Sequence, residues 1–170
     1  MRSNIWKASL LLAATIVVVP AFGRSTAYTE SKTKLVGTWK VQVTQVDCQS
    51  GAQLGSPFTS LLTFTQGGTM YEDTENPAFG HGQRGGGQGT WSKTGQSTYS
   101  AISLALIKYT TPPNQKTHNP GFEAGQQTIS QNITFNEETG QWSSTASVTF
   151  TDTTGTVYRQ GCATASAAPF

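Results

Sequence analysis

A chain of 170 residues is long enough for one domain and too short for two comfortable ones. Its formal charge of +2 includes Arg2 and Lys7, and the chain after Gly23 keeps nine basic and nine acidic residues, close to neutrality. Such a balance cannot neutralise a run of phosphates, which excludes a dedicated nucleic-acid binder; few charges among many Thr, Ser, Gln and Gly residues suit an extracellular β-protein.

Residues 1–23 read as a secretory signal peptide. "MRSNIWK" supplies the charged start, "ASLLLAATIVVV" the apolar run, and small residues follow. The run is short for a membrane span, which needs about 20 residues. An uncleaved anchor is the alternative, and no membrane contact is expected after cleavage. Ala21-Phe22-Gly23 allows cleavage after 23, and Ser25-Thr26-Ala27 allows it as late as 27. Residues 24–34 are expected to form a flexible N-terminal segment and residues 35–170 a single domain. The compartment is then extracellular or periplasmic. There an even cysteine pair, Cys48 and Cys162, is read first as a disulfide.

Beyond the signal the apolar positions alternate, which is the period of a half-buried strand. Trp39, Val41 and Val43 alternate with Lys40, Gln42 and Thr44. Ile102, Leu104 and Leu106 alternate with smaller residues, although Ile107 makes that strand apolar on both faces. Ile129, Ile133 and Phe135 alternate with polar neighbours, as do Trp142, Ala146, Val148 and Phe150. "QGG" (66–68), "KTGQ" (93–96), "NEETG" (136–140) and "TDTTG" (151–155) carry the glycines and short polar residues of hairpin turns. Strands are therefore predicted at about 35–48, 58–66, 68–75, 88–93, 97–109, 123–135, 141–151 and 155–166. Eight strands joined mostly by short turns predict an all-β, up-and-down antiparallel barrel, with a β-sandwich as the alternative. Long connections at 49–57, 76–87 and 110–122 fall at one end, the expected ligand mouth.

"LVGTW" (35–39), "LLTFTQGGT" (61–69) and "GQGTW" (87–91) together resemble the lipocalin-like part of the calycin superfamily. Its members often begin with Gly-x-Trp, matched by Gly37, Thr38 and Trp39. The resemblance implies that Gly37 and Trp39 plug the narrow end of a barrel whose interior holds a ligand. Trp91, in the second "GTW", plugs the same end or is a simple strand aromatic. Two departures stand out. The tail "ATASAAPF" is too short for the helix that usually follows the eighth strand. Arg159, the candidate for the arginine that usually covers the tryptophan, conflicts with a Cys48–Cys162 bridge and is not carried over.

Catalytic and metal motifs are weak. His81 and His118 lie in long connections near Glu72, Asp73 and Glu75, but without close ligand spacing, so no metal site or cofactor is assigned. No nucleophile elbow is present, and no catalytic residue is assigned. "GQRGGGQG" (82–89) lacks the Gly-Lys-Ser/Thr ending of a phosphate loop and reads as a flexible rim loop. Asn132-Ile-Thr134 matches the N-glycosylation triplet. Gln127 and Gln131 share parity with Ile129 and Ile133, so they are interior polar groups in need of partners or, in a shifted register, surface residues. The reading taken from the sequence is a secreted, non-catalytic barrel that binds a small apolar or amphipathic molecule through Leu104, Ile129, Gln131 and Ile133. The alternatives are an isomerase or cyclase resembling allene oxide cyclase barrels, and a protein-interaction or inhibitor module acting through its long loops.

Overall fold

The computed structural model describes residues 33–109 and 125–170. Its strands in chain order are β1 (Gly37–Val46), β2 (Phe58–Phe64), β3 (Thr69–Thr74), β4 (Arg84–Lys93), β5 (Thr98–Ile107), β6 (Gly125–Asn136), β7 (Gln141–Thr151) and β8 (Val157–Pro169). Each pairs antiparallel with the next, and β8 pairs with β1 from Trp39↔Pro169 to Val46↔Cys162. The sheet is a closed up-and-down barrel, which overturns the sandwich alternative and leaves no open edge. No helix occurs among the described residues.

Two strands outrun their predicted limits. β4 begins at Arg84, not near 88, so "RGGG" is barrel wall and not a rim loop. β8 continues to Pro169, because the alternating small residues of the tail fit against β1. Arg159 pairs with Phe150 and sits 5.2 Å from that ring's centroid, whereas the residue across from Trp39 is Pro169. Arg159 therefore does not cover Trp39.

Tight turns at 65–68, 94–97 and 137–140 link β2–β3, β4–β5 and β6–β7 at one end. The longer connections 47–57 and 75–83 lie at the other end, with the 152–156 turn. The expected 110–122 loop lies outside the described residues, as do the signal peptide and its cleavage site. Exposed aspartates shape this open end. Asp47 accepts from the backbone N–H of Ser50 at 2.8 Å and from that of Gln49 at 3.1 Å, and the Ser50 contacts lead in holding its carboxyl below the usual range. Asp152 accepts from Thr154 and Thr156 in the last turn, and its carboxyl is lowered likewise.

The turn end is filled with aromatic rings. Phe135, Trp39, Trp142, Phe64, Trp91 and Tyr99 form a chain of edge-to-face contacts with centroids 5.9–6.2 Å apart. Such pairs contribute about 0.5–1.5 kcal/mol each beyond area burial. The indole N–H groups of Trp39 and Trp91 donate to the carbonyls of Leu35 (2.8 Å) and Thr65 (3.0 Å). Both tryptophans thus belong to one plug. The repeated Gly-Thr-Trp has two different causes. Gly37 has a φ of +146°, a conformation that side chains rarely adopt. A Cβ on Gly89 would lie 1.9 Å from the backbone oxygen of Ile102 on β5, so glycine is needed there for space.

Cys48, just beyond β1, is bonded to Cys162 on β8, with the Cα atoms 5.2 Å apart. The bridge fits an oxidising compartment. It closes a loop with a sequence separation of 114, for which the chain-entropy model allows up to about 4–5 kcal/mol. The double variant Cys48→Ala/Cys162→Ala is expected to melt at a clearly lower temperature while keeping its β-sheet circular dichroism. Unchanged melting would show that the bridge adds nothing to the closed barrel.

Candidate ligand-binding cavity

A small barrel is solid where its inward side chains are large and hollow where they are small. Above the plug they shrink. β8 presents Gly161, Ala163 and Ala165 to the interior, and β7 presents Ser144 and Ala146. The result is a cavity of about 170 Å³. That is close to the ~150 Å³ of an engineered cavity that takes up benzene, and below the ~300–1,000 Å³ of drug-sized sites.

Its wall has two characters. Val41, Val43, Leu62, Val148, Phe150 and the alanines of β7 and β8 form an apolar side. Glu72 on β3, Arg84 on β4 and Gln127 on β6 form a polar side. The Glu72 and Arg84 side chains are ion-paired with only 2% and 4% exposure. Arg84 Nη2 donates to Glu72 Oε1, Arg84 Nε to Gln127 Oε1 at 2.5 Å, and Arg84 Nη1 to the Gly85 carbonyl at 3.0 Å. The other carboxylate oxygen of Glu72 accepts from Ser103 Oγ at 3.2 Å. Buried charges persist only when paired and hydrogen-bonded in this way.

Backbone irregularity creates the arrangement. Arg84 pairs with Ile107 and Gly87 with Ala105, so β4 holds one more residue than β5 over that interval. Such a bulge reverses the in–out parity of a strand, and here it turns Arg84 inward although the inward positions beyond it are Gly87, Gly89 and Trp91. Gly87 lies across from Glu72, and a Cβ there would come 2.3 Å from Glu72 Cγ. Gly87 is therefore space for a carboxylate within the wall.

The four residues expected to contact a ligand are divided by the fold. Ile129 and Gln131 line the cavity, and Gln131 Oε1 lies 3.4 Å from the Ser144 hydroxyl that donates to it. Ile133 is 1% exposed and belongs to the aromatic plug below. Leu104 is corrected outright: it lies on the outer face, 38% exposed, with Ile102 and Leu106. The inward row of β5 is Tyr99, Ala101, Ser103, Ala105 and Ile107. Small residues are required in its middle because Trp91 and the Glu72 carboxylate occupy the adjoining interior. Trp39 belongs to the plug, and Gly37 starts β1 at the same end, across from Phe64.

Gln127, whose orientation the sequence left open, is 5% exposed and faces inward. Glu72 and Arg84 were missed as partners. Met70, Glu72 and Thr74 do share one parity, which is the signal that could have placed Glu72 inside. Of the acidic residues and histidines noted in the sequence, Asp73 is exposed on the outer face, and Glu75 and His81 are exposed in the 75–83 connection. His118 lies outside the described residues. At the mouth, Phe79 packs on Phe150 with centroids 6.2 Å apart, joined by Ile107 and Val148.

These features define a class: a small closed β-barrel, plugged at one end, with an amphipathic cavity toward the other, consistent with a lipocalin-like fold. Compared with known proteins, the chain matches no protein-family model and no curated sequence.

Proposed function

We propose that this is a secreted, lipocalin-like protein of the calycin kind that binds a small, partly apolar molecule in the barrel without transforming it. The carrying observation is the two-sided cavity, with an aliphatic and aromatic wall facing the Glu72–Arg84–Gln127 cluster. A barrel that served only as a scaffold would gain by filling this space, since voids forfeit packing contacts. Secretion is supported by the export-like N-terminus and the Cys48–Cys162 bridge. Mass spectrometry of the protein from its native source, under conditions that preserve complexes, tests the reading by finding a retained small molecule. A product formed on incubation with that molecule would move the assignment to a barrel isomerase or cyclase.

A cavity-filling substitution gives a second check. Ala163 lines the cavity from β8 and is 9% exposed. Ala163→Leu adds three carbons where there is room for them, so the thermal midpoint is expected to stay within about 5 °C of the parent. Uptake of benzyl alcohol, followed by NMR shifts of interior methyl groups, should weaken at least about tenfold through lost volume. Unchanged affinity in the folded variant would put the binding site elsewhere.

A further inference from the structure

We infer that the cavity selects uncharged molecules bearing a hydrogen-bond acceptor, with small ketones, lactones and esters on an apolar body as the ligand class. The inference rests on the binding role proposed above and names its chemistry. Three observations lead to it.

The first is charge. The two ionised side chains of the polar wall already neutralise each other at 2% and 4% exposure. On the polar wall an anionic ligand would have to displace Glu72 from Arg84 or lie beside a buried carboxylate; the third charged lining residue, Arg159, is exposed and stacked over Phe150, away from that wall's donors. A cationic ligand would meet the same conflict with Arg84. Either course leaves one member of a buried ion pair without its partner, which is strongly unfavourable.

The second is donor polarity. Arginine donates and never accepts, so Gln127 must present Oε1 to Arg84 Nε, as observed at 2.5 Å. This fixes the amide orientation chemically and turns its NH₂ group away from the guanidinium. Arg84 itself has five N–H bonds, and the contacts to Glu72, Gln127 and Gly85 use one on each nitrogen. Gln127 and Arg84 thus offer donors to the cavity they line. Ser103 already donates to the second oxygen of Glu72. The wall calls for an acceptor without charge.

The third is size and apolarity. About 170 Å³, with Val41, Val43, Leu62 and Phe150 along the other side, suits a body near the size of a single ring.

Three probes of nearly one shape make the test: acetophenone, ethylbenzene and benzoate, titrated into the intact protein and followed by NMR. Acetophenone should bind about 5–10-fold more tightly than ethylbenzene, the effect of one neutral hydrogen bond. Benzoate should bind at least about 100-fold more weakly than acetophenone because it carries a charge into the site. Gln127→Leu should reduce the advantage of acetophenone over ethylbenzene while leaving ethylbenzene affinity nearly unchanged. The parent comparison stands even if that variant fails to fold. Benzoate binding as well as acetophenone, or ethylbenzene equal to it, overturns this inference and leaves the cavity as a binding site. Failure of all three probes to bind overturns the binding role and the inference together.

Discussion

Replacing Glu72 by glutamine is expected to lower the thermal midpoint by roughly 10–20 °C. The substitution keeps the shape and removes the charge that Arg84 faces at 2–4% side-chain exposure. Removing one member of a buried pair typically costs about 3–5 kcal/mol, because the other charge is left without compensation. At this domain size each kcal/mol shifts the midpoint by roughly 3–4 °C. Arg84→Met should be damaging for the mirror reason, stranding the carboxylate with only the Ser103 hydroxyl. The double variant Glu72→Leu/Arg84→Met should melt higher than either single variant, since an apolar pair needs no compensation. Thermal melts of the three proteins decide the matter. Losses of only a degree or two in the single variants would mean that water reaches the pair freely, and the dry polar wall would have to be abandoned.

Trp39→Ala is the second large loss, about 3–5 kcal/mol for truncating a buried aromatic. Trp39 is 4% exposed, packs edge-on against Phe135 and Trp142, and anchors the Leu35 carbonyl. Leu35 is fully buried, so the substitution also releases the segment that leads into β1, the strand that closes the barrel with β8. Trp91→Ala removes a similar ring, 9% exposed, from the same chain of aromatics. Its indole ties down the short β2–β3 turn at the Thr65 carbonyl instead. Both variants are therefore expected to melt lower, and Trp39→Ala lower of the two. Equal or reversed midpoints by differential scanning calorimetry would show that closing the barrel at β1 depends no more on its indole than the turn depends on Trp91.

Much of the barrel is legible from local rules because those rules act within a strand and its turn. Alternation in β1, β6 and β7 assigns each side chain a face, and glycines such as Gly68 and Gly140 mark reversals with positive φ. Short turns bring consecutive strands together, so their antiparallel order follows from the chain itself. Strand parity gave the inward face of Trp39, while its role as a plug came from the Gly-x-Trp resemblance; Gln131 stayed open between interior and surface until the register of β6 placed it on the cavity wall.

Other features depend on what the neighbouring strand supplies. β5 is apolar on both faces, so its own pattern does not choose between the Leu104 row and the Ser103 row; Trp91 and Glu72 choose, by filling the space beside it. Arg84 faces inward only because the bulge before Gly87 reverses the parity of β4, and a run of glycines carries no side-chain pattern from which to read that reversal. The sequence by itself determined the strand periods, their order and the pairing of two lone cysteines. The tertiary structure decided which side of β5 is the inside and that a carboxylate, a guanidinium and an amide, far apart along the chain, meet within one buried wall. Strand period is a property of the backbone, whereas an interior charge is tolerated only where partners from other strands arrive to hold it.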